Sequence, residues 1–311
     1  MDGILNINKP WGKTSFSIVA MVKRLSGERR VGHAGTLDPT ATGVLPVCLG
    51  QGTRIIEFLV DATKAYQAQI ELGVTTDTYD ASGKITSQGD YSRISQGQLE
   101  SALTSFCGSI QQIPPMYSAV KYKGKPLYEL ARAGIKVARK SRLAKIYHLE
   151  LIDFEPPVFT VDVVCGKGTY IRSLAHDLGQ SLGCGANLKS LIRLRHGFFD
   201  IKDAITVPQL EDAFRYQYWQ HFVYPIDIVL LHWAAVVVDN DTSQAIMNGR
   251  PLILKNHNGS EKTNYPQRPP SVKSSYCRVY TPDGGFLGVL RFNPERGEWQ
   301  PEKIFPKLAY G

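Results

Sequence analysis

The stretch GHAGTLDPTATGVL, residues 32–45, contains one acidic residue among three glycines and one proline. Glycine adopts backbone conformations with positive φ at little steric cost. Proline fixes its own φ and pushes the residue before it, here Asp38, out of the helical region. The sequence therefore predicts a tight or extended segment whose backbone aims the Asp38 carboxylate.

A carboxylate aimed in this way could act as a covalent nucleophile or as a general acid or base. The alternative is an Asx turn, in which the side chain of Asp38 closes the loop against its own backbone. Asx turns are common, so this stretch alone favours the second interpretation, and the surrounding sequence has to decide between them.

Four further segments accompany residues 33–45, namely NKPWGKTS (8–15), KAY (64–66), PMYSAVK (115–121) and KGTYIRSL (167–174). Together these five segments resemble the TruB family of tRNA pseudouridine synthases, in the family's order and with family-like spacing over about two thirds of the chain. The resemblance implies an α+β pseudouridine synthase fold with a mixed, largely antiparallel sheet.

The resemblance also implies a catalytic set. Asp38 matches the essential aspartate of the family, and Tyr66 matches a tyrosine that can stack on the uracil and is the candidate to accept its C5 proton. Arg172 falls in the first turn of a predicted helix, 171–182, where a cation opposes the helix dipole and calls for an anionic partner. We expect that partner to be Asp38, with its pKa lowered by the guanidinium.

Three more residues match the family's substrate pocket. The resemblance implies that Lys9 supports the pocket floor, that Leu191 lines the pocket and that His33 enters the space left when the target uridine flips out. His33, Leu191 and Tyr66 have simpler alternatives: His33 as a surface polar group, Leu191 as plain core, and Tyr66 as a core tyrosine of a strand predicted at 65–72.

No metal and no cofactor are expected. The polar segment 75–83 carries Asp77 and Asp80, which could suggest a cation site, but the distal glutamate of an EF-hand is missing. The resemblance implies no metal, and the isomerisation of uridine to pseudouridine involves no net oxidation or hydrolysis.

The composition bounds the class of protein. The 311 residues are 43% hydrophobic, which is enough for a sizeable core. The formal net charge of +8 favours nucleic acid or an anionic membrane as partner. The five cysteines form no C-x-x-C pair, no signal peptide is evident, and the longest apolar run, 228–238, is too short to cross a bilayer. A soluble, cytoplasmic protein without membrane contact is expected.

Residues 117–148 are the most basic part of the chain, with nine basic residues and one acidic residue. Cations follow phosphates, and the interleaved tyrosines offer stacking faces to unpaired bases. The alternative is a solvated helix face. In TruB proteins this segment resembles a mobile "thumb" that closes on RNA, so we predict that it is poorly ordered without RNA. The predicted RNA contacts are Tyr117, Lys121, Lys123, Lys125, Arg132, Arg139, Lys140 and Arg142.

The sequence pattern changes after Trp233 to short predicted strands and turns. Strands predicted at 276–280 and 286–291, joined by a turn at 282–285, resemble a PUA-like RNA-binding β-barrel module. The loop 255–275 departs from the compact pattern of such modules. We predict a catalytic domain at 1–230 and a PUA-like domain at 231–311.

The resemblance implies a monomeric enzyme that isomerises uridine 55 in the T loop of tRNA without a guide RNA. One alternative is a guide-dependent pseudouridylase like dyskerin, against which the thumb segment argues. Another is an RNA-folding factor whose catalysis is incidental. The sequence does not decide whether Asp38 attacks C6 of the base or C1′ of the ribose.

Overall fold

The computed structural model describes residues 1–252 and 275–305. The strands are β1 (Gly3–Lys9), β2 (Val31–His33), β3 (Ala41–Leu49), β4 (Lys64–Leu72), β5 (Val74–Thr76), β6 (Ile85–Gln88), β7 (Gly108–Gln112), β8 (Lys121–Tyr122), β9 (Lys125–Pro126), β10 (Arg142–Glu155), β11 (Val158–Cys165), β12 (Ala186–His196), β13 (Phe199–Asp200), β14 (Ile205–Thr206), β15 (Val223–Tyr224), β16 (Ala234–Val237), β17 (Tyr276–Tyr280), β18 (Phe286–Asn293) and β19 (Glu298–Ile304). The α-helices are α1 (Ser15–Ser26), α2 (Ile56–Val60), α3 (Gln96–Ser105), α4 (Leu127–Arg132), α5 (Ile171–Ser181), α6 (Val207–Arg215) and α7 (Asn240–Met247). Short 3-10 helices cover Gly50–Ile55, Ile201–Asp203, Trp219–Phe222 and Ile226–Leu230.

The main sheet has eleven strands, and its central path runs β14-β1-β3-β12-β4-β11-β10-β7. Two of its pairings are parallel, β1 with β14 and β3 with β12, and the others are antiparallel. The predicted mixed, largely antiparallel sheet is thereby confirmed. Strand β4 forms where apolar and polar residues alternate, so one of its faces joins the core.

A possible cap at Thr14 and the spacing of Ile18, Val22 and Leu25 predict a helix over about 16–25, and α1 confirms it. The Thr14 hydroxyl accepts a hydrogen bond from the Ser17 amide at 2.9 Å, and Gly27 ends the helix in the left-handed conformation with φ 69°. Ile18 and Val22 are one turn apart and both are buried. This face packs into the main core, so the first residue of the helix lies against the loop that carries Asp38.

The close approach of β3 and β12 depends on Gly43. Its φ is +100°, and a Cβ atom there would lie 2.2 Å from the backbone oxygen of Arg193, so no side chain fits. The parallel register pairs Ala41 with Leu191. The residues just before β3, including Asp38, therefore emerge beside the wall formed by β12.

Residues 121–148 are thinly packed, with only Leu127, Ala144 and Ile146 buried. The paired strands β8 and β9 and helix α4 form the outer part of this segment. Its last seven residues, 142–148, belong instead to β10, which pairs with both β7 and β11. The part outside the main sheet therefore ends at residue 141, before the predicted end of the thumb.

The C-terminal residues form a second sheet in the order β16-β17-β18-β19, in which β16 and β17 are parallel and the other pairs antiparallel. This sheet agrees with a PUA-like module. The predicted loop 255–275 lies outside the described residues except for residue 275. None of the helices in residues 1–252 and 275–305 is both long and apolar enough to span a membrane.

The second sheet packs against the first through a shared hydrophobic cluster. One hydrophobic cluster contains Ile4 and Cys48 from the large sheet together with Trp233, Val289 and Phe305 from the C-terminal part. Because the same buried cluster serves both parts, we expect them to move and unfold together.

Candidate active site

The loop that carries Asp38 is held from two sides. The Ser15 hydroxyl accepts a hydrogen bond from the Leu37 amide at 2.9 Å and donates one to the Leu37 carbonyl at 3.1 Å. The Ala41 amide donates to the Asp38 carbonyl at 3.1 Å, which closes a tight turn over Pro39. The turn therefore aims the Asp38 carboxylate as predicted.

Lys9 hydrogen-bonds both the turn at residues 10–13 and the loop that carries Asp38. Its side chain is fully buried, and Nζ donates to the carbonyls of Lys13 at 2.7 Å, Pro10 at 3.0 Å and Pro39 at 3.5 Å. Burial lowers the pKa of Lys9 to about 8, against an opposing contribution from the Asp38 charge. The geometry agrees with a supporting position under the loop.

The carboxylate of Asp38 forms a two-point ion pair with Arg172. Nε of Arg172 lies 3.0 Å from Oδ2 of Asp38, and Nη2 donates to Oδ1 at 3.1 Å. Nη2 also donates to the carbonyl of Tyr117 at 2.8 Å. The predicted partnership is confirmed, and the contact of Asp38 with Arg172 replaces the Asx turn that its sequence also allowed.

The pKa of Asp38 corrects one expectation. Burial is the largest influence and raises the pKa above its ordinary value of 3.8, and the like charge of Asp80 adds to the rise. Arg172 and, more weakly, Lys9 oppose it. The prediction that Arg172 lowers this pKa is right for the pair itself and wrong for the net result, because desolvation outweighs the attraction.

Asp80 is a member of the site that sequence reasoning did not assign. Its Oδ2 lies 3.6 Å from Nη1 of Arg172, and its Oδ1 accepts from the hydroxyls of Thr78 at 2.8 Å and Ser82 at 2.5 Å. The sequence singled this acid out only as a possible cation ligand. In the described ranges, no cluster of three or more His, Cys, Asp or Glu side chains is arranged to hold a metal.

The turn that carries Asp80 is anchored to helix α5. Tyr79 has φ 65°, an uncommon value for a residue with a side chain, and its ring stacks on His176 with centroids 3.9 Å apart. His176 lies four residues after Arg172, about one helical turn away. The stacking therefore fixes Asp80 and Arg172 relative to each other.

Tyr66 lies on β4 and is 8% exposed. Burial raises the pKa of its phenol, which Arg193 partly offsets through its charge and a side-chain hydrogen bond, while the Asp38 charge raises it slightly further. The hydroxyl is therefore neutral near pH 7 and is a weak proton acceptor unless its own proton can leave.

Arg193 is a second residue that the sequence did not reveal. It is 1% exposed, and it donates to the carbonyls of Val44 at 2.6 Å and Gly35 at 2.9 Å. It thus links β12 to both ends of the loop that carries Asp38 and places a positive charge beside Tyr66. In the sequence, the only signal was an arginine between the apolar residues Ile192 and Leu194.

A cavity of about 220 Å³ opens beside Asp38. It is lined by Trp11, Asp38, Thr40, Ala41, Asp80, Ala81, Ser82, Leu188, Lys189, Ser190 and Leu191. Leu191, a predicted pocket residue, is thus in its wall. Tyr66 and Arg172, which interact with Asp38, are not among the lining residues.

His33 lies on β2, half-buried, and is not among the residues that line this cavity. Its Nδ1 is buried without a hydrogen-bond partner among the described residues, and burial lowers its pKa. The imidazole is therefore neutral near pH 7.

The predicted RNA-binding residues of the thumb divide into two groups. Tyr117 and Arg139 lie at its base, where the Tyr117 carbonyl binds Arg172 and Arg139 donates to the Pro114 carbonyl at 2.9 Å. The others are exposed: Lys121, Lys123, Lys125, Arg132, Lys140 and Arg142. The base of the thumb is therefore hydrogen-bonded to the ion pair of the site, while its charges face solvent.

Comparison with known proteins identifies the family of the chain. The model of the TruB family pseudouridylate synthase N-terminal domain matches residues 23–171, and that of the tRNA pseudouridylate synthase B C-terminal domain matches residues 172–231. The tRNA pseudouridine synthase B of Dehalococcoides mccartyi is 44% identical over 306 residues, which cover 98% of this chain and 97% of the relative. That of Clostridium kluyveri is 40% identical over 290 residues, or 93% and 95% of the two chains.

Solved structures share the fold. A chain from the crystal structure of a Cbf5-Nop10-Gar1 complex has a TM-score of 0.73 and 26% identity, and the match covers 98% of this chain and 87% of that one. A chain from an H/ACA RNP bound to a substrate RNA has a TM-score of 0.71 at 23% identity, covering 97% and 84%. Two family models together match residues 23–231, and the relative from Dehalococcoides mccartyi is 44% identical over nearly the full chain, so the chain belongs to the TruB family of tRNA pseudouridine synthases.

Proposed function

We propose that this enzyme converts uridine 55 in the T loop of tRNA to pseudouridine, acting alone and without a cofactor, and that Asp38 is its catalytic residue. The observation that carries the proposal is the ion pair of Asp38 with Arg172 at the wall of a cavity of about 220 Å³. Such a cavity suits a single flipped pyrimidine whose sugar remains joined to the RNA.

The reaction breaks the N1–C1′ glycosidic bond and forms a C5–C1′ bond. The base keeps all its atoms, because the proton lost from C5 is balanced by the proton gained at N1. The proposed role of Asp38 is nucleophilic, at C6 of the base or C1′ of the ribose, and the two-point contact with Arg172 fixes its direction of approach. Tyr66 is proposed to stack on the uracil.

The proposed partner is the T arm of tRNA, bound by a monomer through residues 117–148 and a PUA-like domain at 231–311. The catalytic domain is assigned to 1–230, and a cytoplasmic location follows from the substrate. Independence from a guide RNA is proposed because the basic segment, with its exposed lysines and arginines, supplies the chain with its own RNA-binding surface.

The test uses a T-arm stem–loop labelled with tritium at C5 of its uridines. Wild type, Asp38→Asn and the matched control Asp77→Asn are incubated with it, with no added metal or cofactor. Asp77 is exposed and only caps a turn, through the Lys84 amide. We expect release of tritium by wild type and control and none by Asp38→Asn. No release by any of the three, with RNA binding intact, would contradict the proposal.

The position is tested in cells. Mass analysis of tRNA from a strain that lacks the gene should show loss of pseudouridine at position 55, restored by the wild-type gene and not by Asp38→Asn. Persistence of that pseudouridine in the deletion strain would refute the assignment to uridine 55. Rescue of a growth defect by Asp38→Asn would instead favour the RNA-folding alternative.

A further inference from the structure

Trp11 is highly exposed and lies at the edge of the cavity beside Asp38. Its side chain is 71% exposed, and its indole makes no ring contact with any residue in 1–252 or 275–305. It nevertheless lines the same cavity as Asp38. Single exposed apolar side chains are common, so the informative feature of Trp11 is its position: the exposed ring is available to a molecule that enters the cavity beside Asp38.

The turn that carries Trp11 is rigid. The neighbouring Gly12 amide donates to the Pro39 carbonyl at 2.8 Å, and the buried Lys9 ammonium binds the carbonyls on both sides of the tryptophan, those of Pro10 and Lys13. The indole is thus presented at a fixed position relative to the Asp38 loop. A preformed position lowers the entropy cost of binding.

Lys189 approaches the cavity from another element, strand β12. The register of β12 against β4 pairs Leu188 with Ile70 and Ser190 with Gln69, so Lys189 is the extra residue of a β-bulge. The bulge lets Leu188 and Leu191, three residues apart, both line the cavity, and it turns Lys189 out to the rim. The Lys189 ammonium has no hydrogen-bond or ion-pair partner in the described part of the chain.

We propose that Trp11 and Lys189 form a nucleotide-binding pair at the rim of the catalytic cavity. The indole of Trp11 stacks on an unpaired base adjacent to the flipped uridine, and the ammonium of Lys189 binds a phosphate of the same RNA segment. The inference rests on the proposed function, because it takes the flipped uridine to occupy the cavity.

An RNA strand fits these two groups better than a protein partner does. An aromatic face together with an unpaired cation is the pattern that binds single-stranded nucleic acid, because every base has a π-face and every nucleotide a phosphate. Flipping one uridine also unstacks its neighbour, which then needs a new stacking surface. Trp11 supplies that surface next to the site where the uridine enters.

Tryptophan fluorescence tests the stacking directly. Of the four tryptophans, Trp233 and Trp299 are buried and Trp219 stacks on Phe214, so Trp11 is the most exposed. In an Asp38→Asn background, which keeps the RNA unmodified, we expect T-arm RNA to quench the emission and to shield it from acrylamide. The change should disappear in Trp11→Phe. Unchanged emission at saturating RNA would overturn the proposal.

Affinity and turnover give the second test. Trp11→Leu should weaken binding about tenfold, Trp11→Phe should restore most of it, and the loss should appear in KM with kcat nearly unchanged. Lys189→Gln should reduce the slope of log affinity against log salt by about 0.7. Phe16→Leu, equally exposed but outside the cavity wall, and Lys202→Gln are the controls.

Two results would separate this inference from the proposed function. If wild type releases tritium while Trp11→Leu has wild-type KM and affinity, the function stands and the nucleotide-binding pair is wrong. If wild type binds and is quenched by the RNA without releasing tritium, the stacking stands and the proposed reaction is wrong.

Discussion

The guanidinium of Arg172 binds both carboxylate oxygens of Asp38, at 3.0 Å through Nε and 3.1 Å through Nη2. The Arg172 side chain is only 8% exposed, whereas that of Asp38 is 36% exposed. The arginine therefore sits behind the carboxylate and holds it while leaving one side open toward the cavity. This arrangement suits the nucleophilic role proposed for Asp38, because the orientation of the carboxylate is fixed while one side of it remains accessible from the cavity.

Replacing Arg172 with lysine should lower kcat/KM by about a hundredfold or more, because an ammonium cannot reproduce the two-point contact and a small displacement of the carboxylate is costly. Single-turnover tritium release measures the effect. Arg215→Lys, at an exposed pair with Asp212, is the control. A loss of less than threefold in Arg172→Lys would contradict this role.

The acid limb of the pH–rate profile should lie above the ordinary pKa of an aspartate, 3.8, because burial raises the pKa of Asp38. The carboxylate must be ionised to act, so activity falls as the pH drops through that raised pKa. Arg172→Gln removes the largest opposing influence and should move the limb to higher pH. The profile of kcat/KM measures both, and a limb that stays in place in Arg172→Gln would refute the coupling.

Asp80→Asn should reduce kcat by about tenfold while leaving RNA affinity unchanged, because the amide keeps the shape and removes the charge 3.6 Å from Arg172. Since Asp80 is argued to act through Arg172, it is a positioning residue. The like charge of Asp80 also raises the pKa of Asp38, so the acid limb should shift to lower pH in this variant. Asp77→Asn should change neither quantity. An equal loss in both variants would show that the whole turn is merely structural.

Tyr66→Phe separates stacking from proton transfer. The ring is kept, so RNA binding should stay within about twofold, while loss of a hydroxyl that takes the C5 proton should lower kcat by about a hundredfold or more. Burial raises the pKa of this phenol, so the Tyr66 hydroxyl can take the C5 proton only if it gives up its own proton during turnover. A low kcat in Tyr66→Phe would indicate that this exchange takes place. A Tyr66→Phe enzyme with near-wild-type kcat would assign the proton transfer elsewhere.

The exposed lysines of the thumb should carry the salt dependence of RNA binding. Changing Lys121, Lys123 and Lys125 together to glutamine should flatten the slope of log affinity against log salt by about 2, at about 0.7 for each phosphate contact. Lys23, Arg24 and Arg29, changed to glutamine together, form the control. Amide exchange should show weak protection of residues 121–141 in the free protein and stronger protection with RNA, and strong protection without RNA would contradict a mobile thumb.

Trp233→Ala should destabilise the whole chain by about 3 kcal/mol, the usual cost of emptying a buried aromatic site. Trp233 packs on Phe58 of α2, with ring centroids 5.0 Å apart, and on Tyr276 of β17. Calorimetry should show one unfolding transition that moves to lower temperature. Two separate transitions in the wild type would mean that the parts are not coupled through this cluster.

The sequence by itself determined the features that depend on local chemistry. Glycine and proline around Asp38 specify a turn, Thr14 caps α1, and alternation along residues 65–72 specifies β4. The five sequence segments, in the family's order, indicated the family. The position of Arg172 in the first turn of α5 predicted that its guanidinium pairs with an anion. The net direction of the Asp38 pKa shift was missed, because residues far apart in the chain partly desolvate the carboxylate, and its sequence neighbours do not show this.

Only the tertiary structure decided which distant residues complete the site. Asp80 faces Arg172 because its turn stacks on α5 through Tyr79 and His176. Arg193 lies beside Tyr66 because the register of β12 against β4 pairs these two residues. A bulge in β12, which the local sequence does not predict, turns Lys189 toward the rim of the cavity where Trp11 lies. These contacts join segments far apart in the chain, and long-range packing rather than local propensity sets their geometry.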